Sequence, residues 1–130
     1  MIEFRVDATS GVAPYRQIVE QVRQALRLGL LHVGDQLPTV KEVVAMVAIN
    51  PNTVSKAYRE LELEGLVEGR AGVGTFVTRT LAGPSLAAHG ELRRELLTWL
   101  VSARRAGLDD ASIDALVENT LRDAHQDGVA

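Results

Sequence analysis

NPNTVSKAYRELELEG, residues 50–65, reads as one helix with both of its ends marked. The Asn50 side chain can accept from the free amides of the first turn, and Pro51 fits the first helical position, where no amide hydrogen is needed. Gly65 can take the left-handed conformation that closes a helix. Val54, Ala57, Tyr58 and Leu61 recur at i, i+3, i+4 and i+7 and form an apolar face. Asn52, Ser55, Lys56 and Arg59 repeat the same spacing about 200° round the helix. This second stripe is polar and basic and contains no carboxylate. On an isolated helix it would be an ordinary solvated face. The neighbouring segments give it another meaning.

Upstream, Thr39-Val40-Lys41-Glu42 has capping-box spacing, with Glu42 placed to reach back to the Thr39 amide. Val40, Val43, Val44 and Val47 follow as the apolar face of a short helix. Its valines weaken intrinsic helicity, so packing must hold it. Only Ala48 and Ile49 separate it from Asn50, and two short helices so joined make a helix-turn-helix. Downstream, residues 66–70, 71–74 and 75–78 read as a strand, a glycine-rich turn and a second strand, a hairpin or wing. Gly72 and Gly74 suit a tip that approaches another backbone. A phosphate-binding loop is the rival reading of these glycines, but no helix N-terminus follows them to hold an anion.

Towards the N-terminus, Ile2-Glu3-Phe4-Arg5-Val6 alternates like a short strand. Pro14 opens a first helix that is expected to reach Gly29, with Tyr15, Ile18, Val22, Ala25, Leu26 and Gly29 on its buried side. Gly34-Asp35 is a turn, and Leu37 is extended because Pro38 follows it. Beyond the wing, Ala82-Gly83-Pro84 is a linker between an expected domain at 1–80 and an expected tail at 81–130. In the tail Leu92, Leu96, Trp99, Leu100 and Ala103 stripe a helix from about Pro84 to Arg105. Asp109 or Asp110 caps a last helix bearing Ile113, Leu116, Val117, Thr120 and Leu121. Two such helices cannot bury both stripes against each other alone, and a second copy of the chain would cover the excess. Leu92, Leu96, Trp99 and Leu100 are therefore the candidate dimer contacts. The fold class is mainly α with a small β-hairpin: a winged helix-turn-helix followed by a two-helix dimerisation tail.

Composition narrows the function classes. The chain is 130 residues long, 46% hydrophobic and 24% charged, with a net charge of −3. This is not a protein that coats nucleic acid by bulk charge. Residues 1–80 carry nine Lys/Arg and nine Asp/Glu, whereas residues 81–130 carry five and eight, so any nucleic-acid surface is a local patch in the first part. Without cysteine, disulfides and thiolate metal sites are excluded. The N-terminus lacks the apolar core of a signal peptide, and no apolar run approaches the roughly 20 residues that span a bilayer. A cytoplasmic location with no membrane partner is expected. His32, His89 and His125 have no ligand spacing and no G-x-S-x-G motif occurs, so neither a metal, a cofactor nor an enzyme activity is expected.

The order helix, helix-turn-helix, wing closely resembles the winged-helix domain of the GntR family of bacterial transcription regulators. The likeness runs from about Val12 to Arg79. It rests on Gly34-Asp35-Gln36-Leu37-Pro38-Thr39, Asn52-Thr53-Val54, Tyr58-Arg59-Glu60-Leu61-Glu62, Glu64-Gly65-Leu66-Val67 and Gly72-Val73-Gly74-Thr75-Phe76-Val77. The short tail and the wording of residues 50–54 are similar to the YtrA-like subfamily. That resemblance implies a small dimeric repressor with the tail as its dimer contact, and a double-stranded DNA operator as partner. Three positions depart from the family pattern. Ala48 stands where glycine is usual, Lys41 where arginine is common, and Val73 where the wing tip often carries a basic residue.

On DNA, the Asn50 helix would lie in the major groove with its N-terminal half toward base edges. Asn52 can pair with adenine, Ser55 and Lys56 can reach bases or phosphate, Thr53 can meet phosphate or a thymine methyl, and Asn50 is expected among the DNA contacts with them. Thr39, Lys41, Arg59 and Arg70 are expected on the phosphate backbone, with Gly72 and Gly74 offering wing amides. Glu60, Glu62 and Glu64 would repel phosphate, so the end of the helix must point away, and nothing in the sequence explains why they cluster there. Any small-molecule effector would be small or would bind between protomers. The alternative function is a winged-helix module that contacts proteins and does not read DNA.

Overall fold

The computed structural model describes residues 2–82 and 86–126. It forms two compact units that divide between Leu86 and Ala87. The first holds α1 (Pro14–Arg27), α2 (Val40–Val47), α3 (Pro51–Leu63) and the strands β1 (Val67–Arg70) and β2 (Gly74–Val77). The second holds α4 (Leu86–Arg105) and α5 (Asp110–Gln126). The mainly helical class with one antiparallel hairpin is as the sequence suggests.

In the first unit one core gathers a face from every element. Ile18, Val19, Val22 and Leu26 come from α1, Val43 from α2, and Val54, Ala57, Tyr58 and Leu61 from α3. Leu66, Val67 and Val77 close it from the hairpin. The helix ends follow their residues. Thr39 and Glu42 exchange both bonds of a capping box at 3.1 Å each. Asn50 Oδ1 accepts from the Asn52 amide at 2.8 Å, and Gly65, with φ +75°, turns the chain out of α3. Ala48 ends α2 in the left-handed region at φ 52°, ψ 45°, and is the one non-glycine residue with positive φ among those described. Ala48 thus takes a left-handed conformation that glycine adopts with less strain.

Two local expectations are corrected. α1 ends at Arg27, and Gly29, with φ +71°, lies beyond it in the turn that closes the helix. Residues 2–6 are not a strand. Their alternation is real in burial, with Phe4 buried and Ile2 and Val6 half-buried. Their polar backbone, however, is paired with side chains of α1. Gln21 accepts from the Arg5 amide at 2.9 Å and donates to the Arg5 carbonyl at 2.5 Å. Gln17 accepts from the Asp7 amide at 2.9 Å and donates to its carbonyl at 2.9 Å. A carboxamide offers the same donor and acceptor as a peptide group, so α1 supplies what a neighbouring strand would.

The hairpin pairs Val67 with Val77 through Arg70 with Gly74. On its other side β2 is bonded to the loop before α2. Gly34 donates to the Val77 carbonyl, Val77 to that of Asp35, and Leu37 to that of Thr75, each at 2.8 Å. The approach to α2 is therefore fastened to the wing by main chain.

In the second unit Asp109 caps α5, accepting from the Ser112 amide at 2.9 Å, and hydrogen bonding from the Ser112 side chain and then its amide lowers the Asp109 pKa. Arg104 meets Asp110 across the turn at 2.6 Å. Only Ala103 and Ile113 are buried among the described side chains here, whereas Leu92, Leu96, Leu97 and Leu121 are at least half exposed.

Candidate nucleic-acid interface

α3 supplies the face singled out from the sequence. Its apolar side is sealed by Val54, Ala57, Tyr58 and Leu61. Rotated away from it, Asn52, Lys56 and Arg59 are exposed, and Thr53 and Ser55 are half-buried. Asn50 stands apart from the rest, because its side-chain oxygen is engaged in the helix cap. The buried Tyr58 hydroxyl donates to the Pro38 carbonyl at 2.6 Å, fixing α3 against the approach to α2. Burial raises the Tyr58 pKa above its ordinary value, so this donor keeps its proton.

Thr39 and Lys41 are exposed at the start of α2. Thr39 shares a cleft of about 550 Å³ with Arg70, Gly72, Gly74 and Thr75 of the wing; Lys41 does not line it. The wing glycines have backbone reasons to be there. Gly72 has φ +74° and Gly74 φ +145°, and a Cβ on Gly74 would collide with the Gln36 carboxamide. Arg70 is less available than an unaccompanied arginine. Its guanidinium lies 4.5 Å from the Phe76 ring centroid and 4.0 Å from the Glu68 carboxylate.

Two of the three carboxylates at the end of α3 are bound to neighbouring elements, while Glu60 keeps a buried Oε2 without a hydrogen-bond partner. Glu64 is held by the Arg23 guanidinium, which also meets Glu20 at 2.5 Å, so this cluster locks α3 to α1. Glu62 accepts from the Gly69 amide at 3.1 Å and thereby joins α3 to β1. These carboxylates hold neighbouring elements, which offsets their unfavourable place at the negative end of the helix dipole.

One contact was not foreseen. Lys56 Nζ sits 3.9 Å from the centroid of the Tyr15 ring, and Arg16 Nη2 donates to the Tyr15 hydroxyl at 3.3 Å. Sequence periodicity places Tyr15 on the buried side of α1. It is half-buried, with its ring turned toward the basic stripe of α3. The signal in the sequence was only an aromatic residue beside an arginine at a helix start, and 41 residues separate it from Lys56.

A polar, carboxylate-free stripe on the second helix of a helix-turn-helix, with a wing beside it, defines a winged helix-turn-helix DNA-binding transcriptional regulator. Comparison with known proteins agrees. The family model for bacterial regulatory proteins of the gntR family matches residues 14–77. The HTH-type transcriptional repressor YtrA of Bacillus subtilis (strain 168) is 35% identical over 106 residues, covering 81% of this chain and 82% of that protein. The HTH-type transcriptional regulator Rv1152 of Mycobacterium tuberculosis is 41% identical over 104 residues, covering 80% and 82%. Among solved structures, YtrA from Sulfolobus acidocaldarius, a GntR-family transcription factor, superposes with a TM-score of 0.54 at 28% identity, over 75% of this chain and 97% of that one. The DNA-binding domain of AraR, solved in complex with operator ORX1, shares the fold at a TM-score of 0.52 and 23% identity, over 60% of this chain and all of that one. The chain belongs to the gntR family of bacterial regulatory proteins.

Among the described residues no helix is long and apolar enough to cross a membrane.

Proposed function

We propose that this regulator is a dimeric repressor that reads an inverted-repeat operator through α3, acting in the cytoplasm and without catalytic activity of its own. The observation that carries the reading is the polar stripe of exposed Asn52, Lys56 and Arg59 with half-buried Ser55. It is free of carboxylates, whereas Glu64 and Glu62 at the end of the same helix are spent on Arg23 and the Gly69 amide. Asn52 presents the donor–acceptor pair that matches adenine. Thr53 and Ser55 flank it at the groove. Thr39, Lys41, Arg59 and Arg70, with the amides at Gly72 and Gly74, fix register on phosphate, which positions a protein without specifying sequence. Asn50 contributes by starting the helix at the right residue.

Dimerisation is supported by the tail. Leu92, Leu96 and Trp99 are exposed and Leu100 is half-buried, which leaves an apolar face on α4 that α5 does not cover. A twofold dimer presents two copies of α3 and so matches a palindromic site. Repression is the role named for the relative of Bacillus subtilis, and a dimer seated on an operator accomplishes it by occupying the DNA.

The test is a mobility shift on DNA recovered with the purified protein, run at two salt concentrations. Binding that is specific and weakens steeply with salt is expected, because neutralised phosphates release counterions. Specificity absent at both concentrations would favour a winged helix used for protein contacts, the reading to which the net charge of −3 otherwise lends weight.

A further inference from the structure

We propose that the first turn of α1 belongs to the DNA-contacting surface, with Tyr15 as a positioning residue whose ring holds Lys56 as a phosphate anchor rather than a base reader. The inference rests on the DNA-binding reading above and extends it to an element outside the helix-turn-helix and wing.

Lys56 lies four residues after Asn52 and three before Arg59, so it sits in the middle of the exposed stripe of α3. A lysine there would ordinarily sweep across the groove, since its four-carbon stem is flexible. Here the ammonium is drawn to one side, 3.9 Å from the Tyr15 ring centroid. At that distance the ring face attracts the cation while its remaining N–H groups stay in solvent. Lys56 itself is exposed. Tyr15 is the second residue of α1, so the ammonium is parked beside the start of that helix.

Three features make this place suit a phosphate. Arg16 Nη2 donates to the Tyr15 hydroxyl at 3.3 Å, so a second cation stands on the same ring. α1 begins without a side-chain cap and without an acidic residue in its first turn, which leaves the positive end of its dipole uncompensated. No carboxylate of α3 holds the Lys56 ammonium: Glu62 and Glu64 are engaged elsewhere, and Glu60, one turn after Lys56, has a buried Oε2 without a hydrogen-bond partner. Arg16 contributes less than Lys56, because the charges of Glu60 and Glu20 already act on it. The occupant is a backbone phosphate of the duplex at the edge of the groove entered by α3.

A double-mutant cycle read by DNA titration over a salt series tests the proposal. Lys56→Ala is expected to weaken specific and scrambled duplexes alike and to flatten the slope of log affinity against log salt by about 1 per half-site. Arg16→Ala should flatten it less. Tyr15→Leu should weaken both duplexes by about 2- to 5-fold, and adding it to Lys56→Ala should cost nothing further. Tyr15→Phe keeps the ring and loses only the hydroxyl bonded to Arg16, so it should lose no more than Arg16→Ala, which separates positioning from damage to the α1 packing. Additive losses from Tyr15→Leu and Lys56→Ala would overturn the proposal. So would a changed base preference in Lys56→Ala, or a Tyr15→Phe variant as weak as Tyr15→Leu. A wild-type protein without salt-dependent DNA binding would remove the underlying reading, whereas wild-type binding with an inert Lys56→Ala would remove this proposal alone.

Discussion

Ala48 carries a local cost that the family pattern makes visible. A β-carbon in the left-handed region is crowded by about 1–2 kcal/mol, and glycine gives back part of this through its greater freedom when unfolded. Ala48→Gly is therefore expected to stabilise the winged helix by roughly 1 kcal/mol. Thermal unfolding should rise by a few degrees; a fall would mean that Ala48 makes a compensating contact. Asn52 and Lys41 are separated by role. Asn52→Ala should cost about 1–3 kcal/mol per half-site and relax preference at one base pair. Lys41→Ala should weaken all sequences alike and lower the salt slope by about 1 per half-site. Titration of both variants on specific and scrambled duplexes decides, and a reversed pattern would exchange reader and anchor.

At the scale of elements, α3 is held in place by its buried face and by bonds to its neighbours. Tyr58 is the most exacting of them, because removing its hydroxyl leaves the Pro38 carbonyl without its buried donor. Tyr58→Phe should cost about 1–3 kcal/mol at pH 8. The raised pKa of Tyr58 gives this cost a pH signature. In the unfolded chain the phenol ionises near 10, while the folded protein keeps it protonated to higher pH, so folding is penalised as pH rises above 10. The gap between wild type and Tyr58→Phe should therefore narrow by about 1 kcal/mol by pH 11, as read by urea unfolding. A gap that widened instead would reverse the sign of the linkage. The helices themselves were legible in advance, since Thr39/Glu42, Asn50/Pro51 and Gly65 mark their ends within a few residues. What the sequence withheld were contacts between distant segments. Gln17 and Gln21 replacing a strand, the loop at 34–37 joining β2, Arg23 holding Glu64, and Tyr15 beneath Lys56 all depend on tertiary placement, which periodicity does not encode. The exposed stripe on α3 was readable because one amphipathic helix contains it entirely.

At the scale of the whole molecule, the tail decides the assembly. Sedimentation at micromolar concentration is expected to give twice the 14.1 kDa chain mass. Leu96→Asp should yield the monomer, because a carboxylate in an apolar contact is costly, and a wild-type monomer would remove the dimer. Footprints should then be symmetric, with half-site centres about one helical turn, roughly 34–36 Å, apart. A single half-site bound at full affinity would argue for independent protomers. The extended segment at the N-terminus has a consequence for how this chain would look in solution. In a map of amide hydrogen exchange, slow protons are usually taken to mark helices and sheets. Here Arg5 and Asp7, two residues apart, should exchange slowly in a segment that belongs to neither, imitating an edge strand. The imitation comes apart one proton at a time: Gln21→Leu should release Arg5 alone and Gln17→Leu Asp7 alone, where a true strand would let go as a unit.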